Sequence, residues 1–178
     1  MSKNYVKKLC VCSLLAALYV ALELLASTFG KIAFLDNYQI PISCFPLILA
    51  SVMFGFGWGT ATAVVGSFIS QIGFGLSWNT LLWMAPTVLY AMSVALLYVA
   101  FRKNNNPLIL GGQFFVSSLL LSCLNTLAMF ISNWIADLSN GLLKIFLPVK
   151  IVAGLFFAIL FAIITPSIIK QFRKIIKL

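Results

Sequence analysis

Six side chains stand out because the sequence around them is almost wholly apolar: Glu23, Gln71, Asn79, Asn125, Asn133 and Lys150. Ionisable and amide groups are expensive at membrane depth, so they usually face a cavity or a partner. Lys150, about one turn inside the last apolar segment, suits a ligand carboxylate or phosphate. It is also close enough to that segment's end to reach lipid headgroups. Glu23 suits a cationic group of a solute or a local ion pair with Lys31 or Lys150. Asn125 and Asn133 share one helix face and fit either a ligand's polar edge or hydrogen bonding between helices.

The parts that covalent chemistry requires are missing from the sequence. There is no histidine, no phosphate-binding glycine loop followed by Lys-Ser/Thr, no nucleophile elbow and no close pair of carboxylates. The chain is therefore not expected to be an enzyme, nor to hydrolyse ATP by itself. Cys10, Cys12, Cys44 and Cys123 lack metal-ligand spacing, and are read as small buried hydrophobes with neither a metal nor a disulfide.

The elements that must position the polar set follow from composition. Of 178 residues, 62% are hydrophobic and 8% charged, and the mean hydropathy is +1.10. An average soluble domain is about one-quarter charged, so this is an integral membrane protein. Hydrophobicity does not fall after the first segment, which is therefore read as a retained span and not as a signal peptide. A spanning helix needs about 20 apolar residues, which predicts helices over residues 10–29, 80–101, 107–134 and 148–170. The stretch 40–73 is long for one crossing and tight for two. Its central FGFGWG, residues 54–59, marks a turn, so it is divided into helices over 40–55 and 57–73. A re-entrant hairpin would serve the same parity. Pro46, Pro107 and Pro148 fall near the predicted helix starts, and Pro166 is placed to bend the last helix.

Charge supports this division. Lys3, Lys7, Lys8, Arg102, Lys103, Lys170, Arg173, Lys174 and Lys177 all fall on one side of a six-helix layout, which leaves Lys31, Lys144 and Lys150 on the other. Cytoplasmic loops collect Lys and Arg, so both termini are expected in the cytoplasm. The three acids, Glu23, Asp36 and Asp137, lie in or near the outer loops. The basic runs are read as topology signals and contacts with anionic lipid, not as nucleic-acid binding. Trp78, Trp83 and Trp134 fall toward the outer ends, as in an aromatic belt. The expected fold is all-α: one membrane bundle of six transmembrane helices spanning residues 1–178.

Within the first helix, SLLAALYVALELLAS places Ser13, Ala17 and Ala21 four residues apart. That spacing stacks them on one face, a smooth stripe that permits close approach of another helix. The helix could belong to this bundle or to a separate protein. Glu23 falls on a different face.

An A-x-x-x-A first helix, an outer loop leading into QIPISCFPLILASVMFGFGWGTATAVVGSF (residues 39–68), and then LSWNTLLWMAPTVLYA together resemble the substrate-binding S-components of energy-coupling factor (ECF) vitamin transporters. The resemblance covers nearly the whole chain, and Leu124-Asn125-Thr126 is similar to the folate-type branch. Gln39 stands where that branch would carry an arginine.

The resemblance implies a subunit of the bacterial plasma membrane that captures a small vitamin at the outer face. Lys150 with Lys144 favours an anionic vitamin of folate or pantothenate type, whereas Glu23 and Asp137 suit a cationic one such as thiamine, and the outer charges sum to about zero. It implies docking through Ser13, Ala17 and Ala21 onto a transmembrane coupling subunit. Two cytoplasmic ATPases bound to that subunit consume the ATP, while this chain holds no cofactor. Tyr38, Trp78, Trp83 and Trp134 are then candidates to stack on a ring, and Lys150, Gln39, Asn79 and Asn125 to fix polar groups. Two other functions fit the composition. A stand-alone facilitator or small secondary transporter would normally show broken helices or inverted repeats, and a structural membrane subunit would have no use for the outer polar set.

Overall fold

The computed structural model describes residues 3–32, 41–101, 107–135 and 141–175. These residues form α1 (Lys3–Ile32), a 3-10 turn (Pro41–Cys44), α2 (Phe45–Phe54), α3 (Phe56–Phe74), α4 (Thr80–Phe101), α5 (Pro107–Ile135) and α6 (Gly141–Ile175). No strand occurs among the described residues. Four helices are long and apolar enough to cross a membrane, over Tyr5–Thr28, Thr80–Phe101, Leu108–Ile135 and Lys150–Gln171. All four turn large apolar side chains outward, among them Leu14, Leu81, Leu108 and Ile163, the surface that lipid covers.

Between α1 and α4 lies a helical hairpin. At about 1.5 Å rise per residue, ten-residue α2 is far shorter than the roughly 30 Å hydrocarbon layer. It is apolar on all sides, and Pro46 through Val52 are all buried, as expected of a helix surrounded by protein. It packs against α1, α3, α4 and α6. One core joins Tyr19, Leu47, Ile48, Val94, Phe114, Leu121 and Phe161 across the helices around it.

The turn predicted at residues 54–59 is a single residue, Gly55, with φ +84° and ψ −174°, a conformation nearly closed to side chains with a Cβ. Its N–H donates to Ser51 O at 3.1 Å and its carbonyl accepts from Gly59 N–H at 3.0 Å, so the two helices share the junction. A Cβ on Gly59 would fall on the side chain and backbone of Ser51. Ser51 in turn donates to the Ala91 carbonyl of α4 at 3.1 Å. Close approach recurs between α5 and α6, where a Cβ on Gly154 would overlap the side chain of Ser122. Gly154→Val is therefore expected to cost about 1–3 kcal/mol by overpacking, read as a lower unfolding midpoint in detergent; an unchanged midpoint would show that α6 is free to move away from α5.

Two expectations are corrected. The last helix starts at Gly141 and runs through Pro148, so Pro148 is not near its start and Lys150 stands well inside it. A proline interior to a membrane helix is tolerated because neighbouring groups take up the freed carbonyl. Of the cysteines, Cys12 and Cys44 are buried, but Cys10 and Cys123 are exposed. They are apolar enough to sit on the outward face of an apolar helix.

Candidate functional site

A chain of contacts gathers the polar residues at one end of the bundle, the end where α3 passes into α4. A Cβ on Gly73 near the end of α3 would lie 3.2 Å from Leu24 of α1. After Gly75, at φ +95°, Ser77 and Thr80 cap α4 reciprocally: Thr80 N–H donates to Ser77 O and Ser77 N–H to Thr80 Oγ1, each at 3.0 Å. This cap fixes Asn79, whose Nδ2 donates to Ser132 Oγ of α5 at 3.0 Å. Near Ser132 on α5, Met129 receives the Lys150 ammonium from α6, with Nζ 3.0 Å from its sulfur. The opposite end holds the edge-on contact of Tyr5 with Trp58, ring centroids 5.1 Å apart.

Lys150 is only 9% exposed. Its one hydrogen-bond partner among the described residues is a neutral thioether, and no carboxylate among them lies close enough to compensate its charge. Glu23, 6% exposed, has the Ser43 side chain as its hydrogen-bonding neighbour. Of the two ion pairs expected for Glu23, the one with Lys150 does not form, because α1 packs on α2, α3 and the 3-10 turn whereas α6 packs mainly on α5; the Lys31 side chain lies outside those described. Tyr19, one turn before Glu23, is buried beside Thr87 of α4.

The amides divide by environment. Asn79 and Asn125 are half-buried, yet each has a buried Oδ1 that meets no protein donor. Gln71 and Asn133 are half-buried on α3 and α5, and Trp83 is half-buried on α4. Trp78 is 61% exposed and Trp134 is also exposed, which places them away from the core of the set. Tyr38 and Gln39 lie outside the described residues. Asn79→Ala is expected to cost about 0.6 kcal/mol of stability, the average for an interhelical hydrogen bond in a membrane protein. It should also weaken solute binding by about 0.5–1.5 kcal/mol if Oδ1 accepts from the solute. Titration calorimetry distinguishes the two, and unchanged affinity would assign Asn79 to helix packing alone.

Ser43, Met129 and Ser132 were not among the residues picked out by sequence. Serine and methionine are common in apolar helices, and only tertiary contact separates these from the rest. The single local signal is proximity, since Met129 follows Asn125 by one turn and Ser132 adjoins Asn133.

On α1 the small-residue stripe faces outward: Ser13, Ala17 and Ala21 are all exposed, as are Leu14, Leu18 and Leu25. Close packing inside the bundle uses another face, where Ala16 is 4% exposed and a Cβ on Gly66 of α3 would lie 2.9 Å from Tyr19 and 3.6 Å from the Ala16 carbonyl.

A sequence model of the family described as "ECF transporter, substrate-specific component" matches residues 7–170. No curated protein and no solved structure matches the chain. The family match takes in α1 almost from its start, the α2–α3 hairpin and α6 to Lys170, and with them every residue of the polar set and of the outward stripe. This chain therefore belongs to the substrate-specific components of ECF transporters, and is a multi-pass membrane subunit that binds a transported substrate.

Proposed function

We propose that the chain captures an anionic vitamin, of folate or pantothenate type, from outside a bacterial plasma membrane and delivers it through a partner-driven cycle. The observation that carries the proposal is Lys150, a buried cation with a thioether where a carboxylate or phosphate would compensate it far better. The orphaned acceptors on Asn79 and Asn125 add hydrogen-bonding capacity at the same end of the bundle. A mostly apolar pocket with a few placed polar groups is the usual way to hold a small solute.

In this account the short α2 with its 3-10 turn and the longer α3 form an out-and-back pair that preserves an even number of passes, both termini are cytoplasmic, and the α3–α4 end is the outer one. The stripe Ser13, Ala17 and Ala21 docks on a transmembrane coupling subunit served by two ATPases. Its outward exposure supports that role, since α1 makes its tight internal contacts through Ala16 on a different face. The solute is best identified by mass spectrometry of what the detergent-solubilised protein retains. Recovery of one vitamin carrying a carboxylate or phosphate is the expected result, and a retained cation with no anionic group would contradict it.

A further inference from the structure

A second group of buried polar side chains lies between α4 and α5, apart from the candidate site. Gln113 and Ser117 are four residues apart on one ridge of α5, and Ser118 adjoins them. The Tyr90 hydroxyl of α4 lies beside Ser118. All four residues are more than nine-tenths buried. Even so, Gln113 Oε1 and Nε2, Ser117 Oγ, Ser118 Oγ and Tyr90 Oη complete no hydrogen bond among the described residues. We propose that this seam is a binding site for internal water, which bridges α4 to α5 through these five atoms.

The site is separate from the polar set at the α3–α4 end. Because Ser132 near the end of α5 meets Asn79 at the start of α4, the start of α5 at Pro107 belongs to the opposite end, and Gln113 follows it by six residues. Ser118 and Asn125 are seven residues apart, about 10 Å along the axis at 1.5 Å per residue. Leu121, 2% exposed, lies between them as apolar core.

Hydroxyls on other helices show what Ser117 and Ser118 forgo. Thr60 donates to the Phe56 carbonyl at 2.7 Å, Thr62 to Trp58 at 2.8 Å, Ser67 to Ala63 at 2.6 Å and Thr126 to Ser122 at 2.8 Å. Each is satisfied by its own helix. Lipid offers no hydrogen bond, so a polar atom buried in a membrane bundle without a partner is costly.

The chemistry of the five atoms selects the ligand. Gln113 Nε2 only donates and its Oε1 only accepts. A metal cation cannot accept from the first, and an anion cannot donate to the second. The one acid among the described residues, Glu23, is at the other end of the bundle and would not balance a cation here. Water both donates and accepts, carries no charge, and makes about three hydrogen bonds when buried, so five atoms call for about two molecules.

The test uses the full-length protein in detergent. A short X-ray pulse turns bound water into hydroxyl radicals that oxidise adjacent side chains, so buried Tyr90 and Phe114 should be labelled. The yield at both should fall several-fold in Gln113→Leu/Ser117→Ala/Ser118→Ala. Absence of labelling in the unsubstituted protein, or labelling unchanged in that variant, would overturn the proposal. Unfolding midpoints give an independent measure. Gln113→Leu and Ser117→Ala should each lower the midpoint by leaving shared water short of partners, and together should cost less than the sum, although the two side chains share no direct bond. Tyr90→Phe, which keeps the ring, should lower it likewise. A dry seam gives the reverse, since removing an unpaired polar atom stabilises; midpoints that rise, with additive effects, would overturn the proposal. The midpoint should be the same in sodium, potassium or choline chloride, and a dependence on the metal cation that Gln113→Leu abolishes would overturn it in favour of an ion. None of these measurements requires the transported solute.

Discussion

Replacing Lys150 with alanine is expected to weaken binding of an anionic vitamin by ~1.5–3 kcal/mol, the worth of a hydrogen bond to a charged group, or roughly ten- to a hundredfold in dissociation constant. The effect is large because the ammonium is buried and its protein partner, Met129 Sδ at 3.0 Å, is a weak acceptor. A solute carboxylate would replace that contact with a charge-assisted one in a medium where water screens little. Titration calorimetry on the detergent-solubilised protein measures the loss directly. Affinity equal to that of the unsubstituted protein would remove Lys150 from the site and leave it as a packing residue.

A bulky side chain on the outward stripe has the opposite profile. Ala17→Trp is expected to leave solute affinity within about twofold and stability within about 0.5 kcal/mol, the range for surface substitutions, while partner-dependent uptake falls to background. Ala17 and Ala21 are exposed, so the new side chain meets no neighbour inside the bundle. Against a docked helix it would prevent the close backbone approach that small residues permit. Paired measurements of binding by the isolated chain and uptake by the assembled transporter separate the outcomes. Loss of binding would mean that the stripe supports the solute site, and full uptake would mean that the partner docks elsewhere.

The parts of this fold that were legible in sequence are those with a strong local cause. A glycine that must adopt φ +84° announces the break between α2 and α3, and about 20 residues dominated by apolar side chains announce each of the four long helices. Pro148 misled because its local meaning, a helix start, gives way when surrounding helices accommodate the lost hydrogen bond. The stripe was legible as spacing but not as direction: Ala16 and Ala17 are adjacent and chemically identical, and only tertiary packing turns one inward against Gly66 and the other outward. The polar set divides in the same way. Lys150 and Glu23 are conspicuous as charges in apolar helices, whereas Ser43, Met129 and Ser132 acquire meaning only through the residues they touch.

The family match makes this chain a substrate-binding membrane subunit, and the proposed function has it hold the solute between buried polar groups at one end while partner subunits supply the energised step. The most direct test is to place the purified chain alone in proteoliposomes, then repeat the measurement with a coupling subunit and its two ATPases added. Saturable binding without accumulation by the chain alone, and ATP-dependent accumulation only in the complete assembly, is the predicted result. Steady transport by the chain alone, with or without ATP, would contradict it.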